Sequence, residues 1–286
     1  MALLIKLKQE VQFNTEFTRA VDVMKGIAAA RFHVLHRQLD LFEPYTRAVG
    51  EILSAVDLTR VSHPFVQAQH PVVGAILVTS TGGFLGGLNT TVVSTGLAQA
   101  GAEGPLTVIG ERGANAVRDV HNEATLFPGV EDTTRVSLAL AVRDHVADQV
   151  LRGVCGRLVV VYPKPISFAV QQITVETLLP CESWVAAQAS EPASAQDAVL
   201  WESRPEDVVE YVVMQWLGHR LSEIFALSRL SELAARAMHL EGSYHELIRM
   251  GKRLRLQYFR ARHEIIDRSM REIFAAQLLY GKAQAR

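Results

Sequence analysis

The chain has 286 residues, 49% of them hydrophobic, and a formal net charge of −1. That is enough apolar material for one sizeable core plus an extension, and too balanced a charge for a protein built wholly around polyanions. No apolar run reaches the length of a membrane span, no signal-like segment is read at Met1–Lys6, and the two cysteines, Cys155 and Cys181, in no metal or redox spacing, read as free and mostly buried thiols of a reducing compartment.

Residues 1–60 carry a long helical pattern. Phe17, Val21, Met24, Ala28, Phe32, Leu35, Leu39 and Phe42 step by three or four. Pro44 is expected to kink or interrupt the helix, and Ile52, Leu53 and Val56 suggest that it resumes. His33 and His36, without a carboxylate or third ligand nearby, read as a surface pair rather than a metal site.

Between residues 70 and 185 the period changes. Val72–Ser80 reads as a buried strand, followed by a glycine-rich turn and a helix through Ala98. Leu106–Gly110 is a short strand, Gly113–Asn122 a helix, Ala124–Phe127 a short strand and Thr133–Arg152 an amphipathic helix. Arg157–Tyr162 is a buried strand, and Phe168–Leu179 alternates as a strand at a sheet edge. Strands alternating with helices predict a small, mostly parallel α/β domain. Residues 186–205 read as a linker, rich in Ala, Ser, Gln and Pro over Ala186–Ala198.

From Glu206 to Arg286 no proline interrupts the chain. Leu230, Leu233, Ala237, Leu240, Tyr244, Leu247, Gly251, Leu254, Tyr258, Ala261 and Ile265 step three and four in alternation, the seam of a coiled coil. Such a helix runs about 110 Å, whereas a compact chain of this length is about 50 Å across, so the helix is expected to project. Pairing the two terminal helices, antiparallel, buries both seams; pairing each in a homodimer does so as well.

The glycine-rich turn, with Gly82, Gly83, Gly86 and Gly87, has the strand–loop–helix layout of an anion cradle. It lacks the Lys-Ser/Thr of a P-loop and does not spell GxGxxG, so a tight turn set by close packing is the plainer reading. No G-x-S-x-G or H-E-x-x-H occurs, and no residue stands out as nucleophile, general base or metal ligand. Arg249, Lys252, Arg253, Arg255, Arg260 and Arg262 follow one another with no acid between them. They form a solvated helix face or a docking face for acidic loops of a partner; nucleic acid ranks third, without interleaved aromatics or a matching module. On these residues alone, an α/β nucleotide-binding protein that dimerises through its helices stays open.

Four stretches carry a resemblance: His63-Pro64-Phe65 with the run Val73–Asn89, which holds Ser80-Thr81-Gly82-Gly83-Phe84-Leu85-Gly86-Gly87; Val108–Gly113; Gln172–Pro180; and Ala234-Ala235-Arg236-Ala237-Met238 with Leu254–Ile273. In this order they resemble the gamma subunit of F-type ATP synthases over nearly the whole chain. The sequence departs from the family at Thr81 and Gly82, where an acidic-basic pair is usual, at Leu85 for Cys and at His263 for Gln. The run Met24–Arg31 looks more like a divergent branch, an alternate F-type ATPase sometimes coupled to sodium.

The resemblance implies an antiparallel coiled coil of the N- and C-terminal helices with a small Rossmann-like α/β foot. It implies a central rotor shaft without catalysis or cofactor. The implied partners are the alpha and beta subunits of the catalytic ring, the epsilon subunit and the c ring. The implied place is the cytoplasmic face of the cell membrane, held peripherally through the complex. By the same resemblance Arg262 and His263 contact a loop of the catalytic subunit, and Met24 and Lys25 face the ring. Arg253, Arg255 and Arg260 meet acidic loops, and Trp201 and Glu202 lie where the foot meets the c ring.

Overall fold

A computed structural model describes residues 2–37, 39, 42, 44–45, 48–49, 61–101, 104–118, 124–181 and 203–284. The elements in chain order are α1 (Ala2–His36), β1 (Val73–Val78), α2 (Leu88–Ala100), β2 (Leu106–Ile109), α3 (Glu111–Val117), β3 (Thr125–Phe127), α4 (Arg135–Leu151), β4 (Arg157–Pro165), β5 (Gln171–Leu179) and α5 (Pro205–Gln284). At 80 residues, α5 is about 120 Å long. The chain divides into two compact units, Met1–Ile27 with Ala237–Arg286, and Ala28–Arg236.

The larger unit is built on one five-stranded sheet in the order β3-β2-β1-β4-β5. β1 pairs in parallel with β2 and β4, and β2 with β3. β5 returns antiparallel along β4 and forms an edge, as its alternating sequence predicts. Strands covered on both faces need apolar side chains on both, which explains the unbroken run in β1. Its even residues, Ile76 and Val78, join Val160 and Tyr162 beneath α4 and the start of α5. Its odd residues, Ala75 and Leu77, join Val159 and Val161 against Val92 and Val93 of α2. Helix and strand approach so closely there that a Cβ on Gly96 would sit 1.8 Å from Leu77 Cδ2.

The first two-fifths of α5, to Arg236, belongs to this unit. Val209, Val213, Leu217, Leu221 and Ile224 recur every three or four residues and are fully buried on the sheet. Phe32 and Leu35 of α1 pack with Leu230, Leu233 and Ala234 of α5 in a separate apolar cluster. Phe168 closes this cluster edge-on to Phe32, ring centres 4.9 Å apart. The His63-Pro64-Phe65 turn is fixed at both ends. The Phe65 N–H donates to His63 Nδ1 at 3.2 Å, so Nε2 carries the proton that faces Glu210 Oε2 at 3.4 Å. The Phe65 carbonyl accepts from Cys181 N–H at 2.8 Å. Both thiols are buried, and burial pushes Cys181 up to about 12 and Cys155 above its usual range.

Most predicted elements match within a few residues. α1 does not. It ends at His36 instead of running to Pro44, because Phe42 turns inward to be buried. His219 of α5 holds that turn: its ring lies 5.2 Å from Phe42 and 4.0 Å from Tyr45, and its Nε2 is 3.3 Å from the Phe42 carbonyl. The expected resumption at Ile52, Leu53 and Val56 lies outside the described residues, as does the Ala186–Ala198 linker.

Candidate partner-binding surface

In the smaller unit α1 and α5 pair antiparallel. Lys25 Nζ reaches Glu241 at 3.0 Å, and a Cβ on Gly251 would lie 2.6 Å from Asn14 Oδ1, so one helix rises as the other descends. On α5, Ala237, Leu240, Tyr244, Leu247, Gly251, Leu254, Tyr258, Ala261 and Ile265 are buried or half-covered, as the sequence predicts. On α1, Leu4, Leu7, Val11, Asn14, Thr18, Val21 and Lys25 are covered, in the same strict alternation.

This corrects the reading of the α1 seam. Phe17 and Met24, read as seam residues, are exposed, and the polar Thr18 and Lys25 take their places. Thr18 is accommodated because its hydroxyl donates to the Asn14 carbonyl of its own helix at 2.6 Å. Lys25 is accommodated by two carboxylates and a ring. It bridges Asp22 and Glu241 at 3.0 Å each and lies 4.5 Å from the centre of the Tyr244 ring. Its pKa is raised by the hydrogen bonds to Glu241 and Asp22. Lys25, expected to face a partner, is therefore engaged within the chain, while Met24 faces outward.

The outward surface of this unit is apolar and basic together. On α5 a second heptad row, Leu256, Phe259, His263, Ile266, Met270 and Ile273, runs on the side away from the seam, and every member is exposed. On α1, Phe13, Phe17, Met24 and Ile27 are exposed, with Phe13 and Phe17 stacked 5.9 Å apart. Exposed apolar rows of this kind are more often found where another protein covers them than on a free surface. Among the described residues, Lys252, Arg253, Arg255, Arg260 and Arg262 are exposed and make no ion pair, whereas Arg249 pairs with Glu246. Arg262 and His263 sit directly after the seam residue Ala261. Trp201 and Glu202 lie outside the described residues.

The glycine-rich turn is filled on its Gly82–Gly83 side from within the larger unit. Arg236 Nε donates to the Gly83 carbonyl at 3.2 Å, and its Nη2 pairs with Glu232 at 2.5 Å. A Cβ on Gly82 would lie 2.5 Å from that same Nη2. Phe84 (φ 64°) and Gly86 (φ 59°) bend the turn through the left-handed region. Asn89 closes it by accepting from Ser80 N–H at 3.1 Å and donating to Ser80 Oγ at 2.9 Å. Close packing thus describes the turn at Gly82, where a side chain would meet the guanidinium, whereas a Cβ on Gly86 or Gly87 would meet nothing within 4 Å. Among the described residues, no group of three His, Cys, Asp or Glu is placed to hold a metal ion.

A family model described as ATP synthase matches residues 5–277. The chain is 28% identical over 277 residues to the ATP synthase gamma chain of Chlorobium phaeobacteroides, covering 92% of each. It is 25% identical over 288 residues to that of Neisseria gonorrhoeae, covering 96% of each. Its fold is similar to a chain of the Euglena gracilis mitochondrial ATP synthase OSCP/F1/c-ring assembly, with a TM-score of 0.69 at 16% identity, over 99% of this chain and 96% of that one. A chain from the central stalk and c-ring of Tetrahymena thermophila mitochondrial ATP synthase matches with a TM-score of 0.59 at 17% identity, over 78% of this chain and 99% of that one. The match over nearly its whole length, to relatives named as gamma chains, makes this chain a member of the ATP synthase family.

Proposed function

We propose that the chain is the central-stalk rotor subunit of an F-type ATP synthase. It has no active site of its own and couples ion flow through the c ring to ATP synthesis or hydrolysis in the ring of alpha and beta subunits. The observation that carries this is the antiparallel α1–α5 pair with its outward apolar and basic surface. A seam that leaves a second heptad row uncovered on α5 is built to be enclosed by another protein. The apolar row supplies non-directional contact, and the unpaired arginines supply charge that acidic loops recognise. The surface is not symmetric about the pair, so each angle of rotation presents different contacts to three chemically equal sites and biases their affinities in turn.

In this reading Arg262, His263, Met24, Arg253, Arg255 and Arg260 face the catalytic ring. Lys25 instead sets the register of the pair, and Trp201 and Glu202 belong to the foot's contact with the c ring. The epsilon subunit completes the stalk. Among the described residues no helix is long and apolar enough to cross a membrane, and attachment runs through the complex, at the cytoplasmic face of the cell membrane.

The test is reconstitution with alpha and beta subunits on a membrane sector. Arg262→Ala is expected to impair ATP-driven ion pumping. Unchanged pumping and hydrolysis would remove Arg262 from the interface, and failure of the wild-type chain to support any pumping would refute the rotor reading. Calorimetry on the isolated chain is expected to show no saturable nucleotide binding.

A further inference from the structure

α5 is held to the sheet of the larger unit by apolar burial along Val209, Val213, Leu217, Leu221 and Ile224. Burial of this kind resists separation and any large roll, which would bring those side chains into water, but it sets the helix's angle less sharply than a directional bond does. Two polar attachments of α5, one on this stretch and one beyond it, are directional. Arg220 grips Glu176 of β5 with two hydrogen bonds of 2.7 Å, from Nε and Nη2, and its Nη1 reaches Glu223 at 2.5 Å. Tyr162 donates to the same Glu176 at 3.1 Å, and burial, followed by the Glu176 charge, pushes its hydroxyl above the usual range, so it stays a donor. Arg236 ties α5 to the Gly83 carbonyl and is itself aimed by Glu232, which is 6% exposed and also pairs with Arg229 at 2.7 Å.

Sixteen residues of α5 separate the two arginines, which is about 24 Å along the axis and about 160° around it. The helix is therefore pinned from two sides at two heights. Charge-assisted, multiply bonded pairs fix angle as well as distance, and breaking either leaves a largely buried carboxylate short of a partner.

Resting on the rotor reading, we propose that Arg220 and Arg236 are positioning residues that key α5 to the α/β domain against rotation about its own axis. By the same proposal, the Arg236 key on the glycine-rich turn governs how completely torque entering at the foot reaches the rest of α5. Gly82 then serves to admit a guanidinium from the chain itself, since any side chain there meets Arg236 Nη2. Gly82 has no left-handed φ, so Gly82→Ala disturbs the key without straining the backbone.

The experiment compares the reconstituted complex carrying wild-type, Arg236→Ala, Arg236→Lys or Gly82→Ala chains. Arg236→Ala is expected to keep ATP hydrolysis and lose ion pumping per ATP. Arg236→Lys, which cannot bond both partners as the fork does, is expected to recover part of the loss. Gly82→Ala is expected to lose less, and to add nothing in the Arg236→Ala background, because both changes act on one contact. Ion pumping per ATP at the wild-type value in both Arg236→Ala and Gly82→Ala would overturn the proposal. Where Arg236→Ala does not assemble, Gly82→Ala decides. Hydrogen exchange on the isolated chain separates this inference from the rotor reading. Amides of residues 82–88 are expected to exchange faster in Arg236→Ala. Unchanged protection sinks the key whatever the complex does, whereas a wild-type chain that supports no pumping sinks the rotor reading.

Discussion

α1 and α5 meet with the same spacing in both compact units and with opposite chemistry. In the larger unit the meeting residues are Phe32, Leu35, Leu230, Leu233 and Ala234, all apolar and at most 7% exposed. In the smaller unit they include Asn14, Thr18 and Lys25 facing Tyr244, Gly251 and half-covered leucines. Burial gives the first its stability. The second has less apolar area and takes specificity instead, since a polar residue in a seam fixes register at a cost in stability. A pair assembled for register, with an apolar outer surface, gains its remaining stability from what encloses it.

The largest expected break is in the apolar meeting. Phe32→Ala removes a buried ring from between Leu230, Leu233 and Phe168, and is expected to cost about 3–5 kcal/mol, read by urea unfolding of the whole chain. A cost well under 1 kcal/mol would mean that this cluster is not a source of stability. A sharper contrast comes from Gly251. Alanine is the better helix former by about 0.8–1 kcal/mol, yet its Cβ would sit 2.6 Å from Asn14 Oδ1. Gly251→Ala is therefore expected to be near neutral alone and stabilising by up to about 1 kcal/mol in an Asn14→Ala background. Equal effects in the two backgrounds would show that Asn14 and Gly251 do not oppose each other.

The smallest effect is at Lys25. Lys25→Met is expected to cost under about 1 kcal/mol at neutral pH, since Asp22 and Glu241 are themselves partly exposed. Because the folded pKa of Lys25 is raised above the ordinary 10.5, its contribution is complete below that value and fades as pH rises through the higher folded one. Alkaline titration of helicity should show this loss in the wild type and not in the variant.

The α/β domain was legible because buried strands, turns and an amphipathic helix leave local signatures, down to the edge position of β5. The α5 seam was legible because its members are apolar or small. The α1 seam was not. Apolar periodicity favours Phe17 and Met24, and nothing local says that Lys25 will find Glu241 some two hundred residues away. The end of α1 at His36 is likewise a tertiary choice, made by the burial of Phe42 and its contacts with His219. The glycine-rich turn showed its need for small residues but not the reason. Arg236, which packs against Gly82 and bonds the Gly83 carbonyl, lies 153 positions downstream of Gly83, and only the fold brings the two together.

Cys155 and Cys181 make this chain easy to tag. At neutral pH a thiol with its pKa near 12 is almost never the thiolate that maleimides attack, and both sulfurs are buried. A cysteine introduced at an exposed position such as Met270 would be the one nucleophilic sulfur in reach of a reagent. A fluorophore or gold particle can then be attached at a single known point, with neither native cysteine replaced.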